Sequence, residues 1–319
     1  IVVRLRSGRG GGTAMSAATI QVAGTSQAKA ARVRADRLWA IFFIAPQVIG
    51  LVAFALVPLV FSFVLAFMQW DGLGDRAWVG FANFQEQFTD PEFLAALRNT
   101  LYFTVLTVPT GLALALLVAL GVNRIRGKMV YRAFYFAPVV TSSVAISVVW
   151  QYLLNGQFGV INAGLRGLGL DPPNWLLDTR FVLPAIAVVT IWWTLGLNVV
   201  IFLAGLQNVP VVLQEAARTD GANGWRVFRD VTLPLLSPTI FFSVVIAVIS
   251  SFQTFDQIFV LTNGGPLDAS RTLVYHIYDL AFRDFAFGKS SAAALLLFVL
   301  TLIVTLVQFG GQRRWVHYG

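Results

Sequence analysis

Ser143, Ser147 and Gln151 recur every four residues, and so do Thr190, Thr194 and Asn198. Ser250, Thr254 and Gln257 follow at steps of four and three, with Gln253 beside them. Such steps set each group on one face of a helix. Hydroxyls and amides both donate and accept hydrogen bonds, the chemistry that meets a hydroxyl-rich solute. Trp192 and Trp193 offer flat apolar faces that suit stacking on a sugar ring. Asp256 is the one acid inside a long apolar run, where charge is costly and usually functional. Trp193, Thr194, Asn198, Gln253 and Asp256 are therefore the candidate solute path. Each feature has a second reading. Ser and Thr also pack membrane helices and bond their own backbone. Tryptophan also marks membrane interfaces, and Asp256, near the end of its run, also fits a capped or solvated group.

Other chemistry is absent. Gly288, Lys289 and Ser290 imitate the end of a phosphate loop, but the glycine needed five residues earlier is Arg283. His276 and His317 are isolated, and neither has metal-ligand spacing. No cysteine is present, which excludes disulfides and thiolate metal sites. There are no paired catalytic carboxylates and no nucleophile elbow, so a membrane enzyme is disfavoured. The chain is expected not to be an enzyme.

The elements that position these groups are apolar. Hydrophobic residues make up 57% of the chain and charged residues 12%. A helical span needs roughly 20 mostly apolar residues. Six stretches qualify, near 38–68, 100–122, 131–154, 181–206, 239–261 and 291–310. The fold class is an all-α integral membrane protein with six transmembrane helices. Pro109, Pro138 and Pro184 mark bends in spans two, three and four. Asp90 before Pro91 reads as an N-cap and first helical residue, opening a helix that lies across the outer surface.

Residues 1–37 are rich in Gly, Ala, Ser and Arg, lack apolar periodicity and are expected to be disordered. Met15 is a candidate start. Residues 38–310 form the permeating domain and 311–319 a short tail. The first span is longer than a signal-peptide core and reads as a retained anchor.

The net charge is +8, and its distribution argues for topology rather than nucleic acid. Basic residues cluster at Lys29, Arg32, Arg34 and Arg37, at Arg124, Arg126, Lys128 and Arg132, at Arg218, Arg226 and Arg229, and at Arg313 and Arg314. In a six-span arrangement these fall on one side, and most acids fall on the other. The positive-inside rule puts both termini and the loop at 208–236 in the cytoplasm. Contact with anionic membrane lipid explains the same clusters.

That loop contains EAARTDGANGWRVFRDVTLP, residues 215–234. Pro210 begins a helix, Gly221 ends it in a left-handed conformation, and Asn223 caps a second helix over 225–231. Pro234 breaks the chain before the fifth span. This helix–turn–helix suits a close protein contact; an amphipathic helix lying on lipid is the other reading.

The spacing of Glu215, Ala216 and Ala217, then Asp220 and Gly221, then Val231, Leu233 and Pro234 resembles the EAA loop of permease subunits of binding-protein-dependent ABC importers. Val231 stands where that pattern usually has Ile. Residues 137–162 and 255–292 resemble the carbohydrate-type branch, which serves sugars and, in some members, glycerol phosphates. The resemblance implies a complex with a second homologous permease, ABC ATPase subunits and an extracytoplasmic solute-binding protein. It implies alternating access of a sugar-like solute, driven by ATP and Mg held on the ATPase subunits, with no cofactor in this chain. It also implies that the loop, through Glu215, couples the spans to the ATPase. The alternative is an ion-coupled secondary transporter. Such proteins use intramembrane charge, and only Asp256 is available.

Overall fold

The computed structural model of the chain describes residues 21–123, 128–313, 315 and 316. Met15, Arg124, Arg126, Arg314 and His317 lie outside the described residues. The chain divides into two units, Ile1–Ser62 and Phe63–Gly319.

The first unit contains α1 (Gln21–Leu51), a π-helical turn (Val52–Leu56) and the start of α2 (Val57–Leu65). The helix begins at Gln21, within the stretch expected to lack structure. Residues 21–37 are rich in Ala, Gln, Lys and Arg, whose side chains favour helix without any apolar period. Asp36–Leu65 is apolar over a membrane-spanning length.

The second unit opens with a two-residue antiparallel hairpin, β1 (Met68–Gln69) on β2 (Ala77–Trp78), followed by α3 (Ala82–Thr89). Helix α4 (Pro91–Asn123) starts where the sequence predicts, and Asp90 Oδ1 accepts from the Glu92 N–H at 2.9 Å. It is not a separate surface helix. It runs on for 33 residues, roughly 50 Å at ~1.5 Å per residue, longer than a hydrocarbon core of about 30 Å.

Helices α5 (Lys128–Val140) and α6 (Ser143–Leu153) replace the single span expected at 131–154. They meet at 112°. Pro138 has no N–H to give the ladder, and Ser142 is extended with ψ 133°. A short α7 (Val160–Gly167) leads to α8 (Val182–Gln207). Pro184 sits in the first turn of α8, where a missing N–H loses no bond, so the bend expected there has no cause.

Beyond α9 (Val211–Thr219), the short α10 (Gly224–Val227), a π turn (Phe228–Thr232) and α11 (Leu233–Phe252) form one spanning rod, Gly224–Phe252. The helix that carries the span expected at 239–261 therefore starts earlier, and it ends at Phe252 rather than near 261. Helices α12 (Asp256–Leu261), α13 (Leu273–Phe282) and α14 (Phe287–Gln312) complete the chain.

Helix α8 packs along α4 and α5. Gly196 permits the approach to α5, since a Cβ there would stand 1.9 Å from the Tyr135 carbonyl oxygen. One core joins Ala115 of α4, Phe202 and Leu203 of α8, and Leu236 and Phe252 of α11. A second gathers Phe103, Ile186, Val189, Ile258 and Tyr275. Five helices among the described residues are long and apolar enough to cross a membrane, and six if the bent α5–α6 pair counts as one. The molecule is an all-α membrane protein.

Candidate functional site

A cavity of ≈ 380 Å³ lies among α4, α8, α11 and the start of α12. Trp193, Thr194, Asn198, Gln253 and Asp256 all line it. Three come from one face of α8. The other two come from the place where α11 stops at Phe252 and α12 starts at Asp256. Broken helices at membrane depth are tolerated where they border a cavity, and this break turns Gln253 and Phe255 toward the open space.

The lining groups keep hydrogen-bonding capacity. Thr194 donates to the Thr190 carbonyl at 2.9 Å, and its oxygen remains an acceptor. Asn198 donates to the Thr194 carbonyl at 3.3 Å, one bond of the several an amide can make. The Gln253 side chain is exposed and makes no hydrogen bond among the described residues. Trp193 Nε1–H donates to the Thr141 carbonyl at 3.3 Å, which ties its ring to the corner between α5 and α6.

Asp256 accepts a hydrogen bond from the Ser143 hydroxyl on α6. Among the described residues no cation pairs with Asp256, and the nearby loop's Arg271 is held elsewhere. Arg271 contacts Glu92 at 2.6 Å, Asp268 at 2.9 Å and Asp279 at 3.4 Å.

The stripe on α6 splits. Ser143 reaches the cavity's Asp256. Ser147 is buried and bonds the Ser143 carbonyl at 2.8 Å, and Gln151 Nε2 donates to the Val260 carbonyl at 3.3 Å. The first bond is internal to α6, and the second joins α6 to α12. Trp192 turns away from the cavity toward Trp150, with ring centroids 5.5 Å apart.

Sequence reading missed Thr107 on α4, which also lines the cavity. Thr100, Thr104 and Thr107 recur at helical spacing, a signal of the same kind as the other stripes. They form a buried seam, in which Ser251 Oγ–H donates to Thr104 Oγ1 at 2.8 Å and the Leu273 N–H donates to Thr100 Oγ1 at 2.9 Å.

The second candidate site is the loop. Glu215 and Ala216 are exposed on α9, and Ala217 is half-buried. Asp220 is the C-cap, and Gly221 follows at φ +85°. The Ala222 N–H closes the turn on the Ala217 carbonyl at 2.9 Å. Asn223 Oδ1 accepts from the Arg226 N–H at 2.9 Å, the cap its type predicts. Val211, Val212 and Trp225 are exposed apolar side chains around this turn.

Leu233 and Pro234 are not with them. Both are half-buried at the start of α11, and Pro234 does not break the chain. The wide turn before it explains this. The Leu233 N–H reaches back five residues to the Phe228 carbonyl, so the ladder shifts just ahead of the proline.

Outside the spans, α13 carries two perturbed groups. Burial pushes the Asp279 carboxyl up, opposed by Arg271 and Arg283 beside it. Burial lowers His276 to about 4, against the attraction of Asp90. His276 Nε2 lies 3.1 Å from Gln87 Oε1 and therefore carries the proton.

Residues 111–316 match the family model described as "Binding-protein-dependent transport system inner membrane component". The chain is 35% identical over 296 residues to the probable ABC transporter permease protein YesP of Bacillus subtilis, covering 91% of this chain and 95% of that one. It is 36% identical over 281 residues to the sn-glycerol-3-phosphate transport system permease protein UgpA of Agrobacterium fabrum, covering 86% and 95%. Among solved structures it superposes with TM-score 0.78, at 25% identity, on a chain of a bacterial ABC transporter involved in the import of the acidic polysaccharide alginate. That match covers 89% of this chain and 99% of the other. With its spanning helices and a family match over most of its length, the chain belongs to the inner-membrane components of binding-protein-dependent transport systems and is the permease of an ABC importer.

Proposed function

We infer that this permease pairs with a second, homologous permease and moves a sugar-like solute by alternating access, powered by separate ABC ATPase subunits. ATP and Mg belong to those subunits, and this chain performs no hydrolysis. An extracytoplasmic solute-binding protein delivers the solute. Both termini and the 208–236 loop are cytoplasmic, as the basic clusters favour.

The observation that carries the solute reading is the cavity. It places amides, hydroxyls and an aromatic face around one space. An amide facing lipid without a partner would cost a few kcal/mol, roughly 2–7; facing the cavity, Asn198 and Gln253 keep capacity to bond water or a polar solute. Sugar hydroxyls donate and accept, as the amides do. The relatives named for glycerol phosphate and for a polysaccharide support a hydroxyl-rich solute.

The loop supports the coupling reading. The exposed Glu215, Ala216, Asp220 and Gly221 form a rigid projection whose apolar residues lack cover in this chain. We assign them to the ATPase contact. Leu233 and Pro234 root that projection in the fifth span.

The test is uptake of the solute that the co-purified binding protein retains, into proteoliposomes holding the whole complex. Uptake should require ATP inside the lumen that faces the loop. Uptake driven by an ion gradient without ATP would overturn the reading.

A further inference from the structure

We propose that the cavity is a charge filter that admits uncharged saccharides and rejects anionic ones, with Asp256 as the specificity-determining residue. The inference rests on reading the cavity as the solute route. Its lining contains one carboxylate, Asp256, and among the described residues no Lys, Arg or His. Recognition of a phosphate or uronate calls for guanidinium, ammonium or aimed N–H groups. None of the lining side chains supplies a full positive charge.

The arginines of the adjoining loop and α13 are committed elsewhere. Arg271 pairs with Glu92, Asp268 and Asp279, and Arg283 contacts Asp279 at 3.2 Å. Asp256 itself is held by a neutral hydroxyl, that of Ser143, so its negative charge is not cancelled by a cation. What remains around the cavity is neutral. Asn198, Gln253, Thr194 and Ser250 offer hydrogen bonds, and Trp193 and Phe255 offer ring faces. A carboxylate accepts hydrogen bonds from sugar hydroxyls and repels an anion in the same space. With an effective dielectric constant of about 20 and a separation of about 7 Å, one negative charge on the solute is disfavoured roughly fiftyfold. The relatives named for sn-glycerol-3-phosphate and for acidic alginate carry anionic solutes in their names. The lining of this chain does not fit theirs.

The experiment measures binding of radiolabelled sugars to the full complex in nanodiscs by equilibrium dialysis. The probes are two panels matched in length, neutral di- and tri-glucosides against di- and tri-galacturonates. The wild type should bind the neutral panel at least tenfold more tightly. Asp256→Asn keeps a hydrogen-bonding side chain and should narrow that gap severalfold, and Asp256→Lys should reverse it. Equal affinity for both panels, or a gap that Asp256→Lys leaves unchanged, removes the filter while leaving the cavity as a sugar site. If neither panel binds, the reading of the cavity as the solute route falls and the filter falls with it.

Discussion

At the scale of single residues, the cavity and the buried histidine make separate predictions. Asn198 and Gln253 present amides to the cavity. A neutral hydrogen bond contributes about 1 kcal/mol net, so Asn198→Leu and Gln253→Leu should each cut uptake roughly fivefold or more while the complex still assembles. Normal uptake in both variants would make the stripes packing seams. His276 is held to about 4 chiefly by burial. Its folded value lies below its unfolded value near 6.5. The unfolded chain therefore takes up the proton first as pH falls. Stability should be undiminished above about 6.5 and fall between about 6.5 and 4, by on the order of 3 kcal/mol at most. Thermal melts of the purified protein at pH 7.5 and 5 should show a drop, and His276→Gln should flatten it. An unchanged slope in that variant assigns the drop to other groups.

At the scale of elements, close approach and turn geometry decide. Gly196 lets α8 meet the α5 backbone, where an added Cβ would stand 1.9 Å from a carbonyl oxygen. Backbone cannot yield as a flexible side chain does, so Gly196→Ala should destabilise by about 1–3 kcal/mol. Gly164 in α7 has no neighbour within 4 Å of such a Cβ, and Gly164→Ala should be neutral or slightly stabilising. Equal melting shifts for the two would remove the packing argument. The turn between α9 and α10 depends on Gly221 at φ +85°. A β-branched residue resists that conformation, so Gly221→Val should weaken assembly with the ATPase in pull-downs. Glu215 is exposed and holds no structure through its carboxylate. Glu215→Ala should leave the protein inserted but uncouple uptake from ATP hydrolysis, and normal solute-stimulated ATPase in that variant counts against the coupling role.

At the scale of the whole molecule, the proposed orientation rests on charge. The basic clusters flank one set of span ends and most of the acids flank the other. The native chain has no cysteine, so single engineered cysteines report cleanly. A cysteine replacing Glu92, at the start of α4, should react with an impermeant maleimide added outside intact cells. One replacing Ala222, in the α9–α10 turn, should react only after permeabilisation. The reverse pattern inverts the assigned topology.

Much of this was legible in the sequence because it is local. Apolar run length announced the spans, since lipid leaves a backbone no solvent to bond. Asp90–Pro91, Gly221 and Asn223 declared their caps and turn through their own backbone preferences. Thr194 and Asn198 were readable from helical spacing, and Trp193, Gln253 and Asp256 from residue type within apolar runs; all five line one cavity. The tertiary structure decided what depends on partners distant in sequence. No proline or glycine marks the break at 253–255. It exists where α12 packs on α6 and α8. Asp256 stood out in the sequence as an acid in an apolar run, but its bond to Ser143, 113 residues away, came only from the packed chain. The 112° corner between α5 and α6 needed Pro138. Its angle, however, follows from packing against α8, where Gly196 admits the α5 backbone. Helical periodicity names the face a residue occupies, but only the packed chain determines what that face meets.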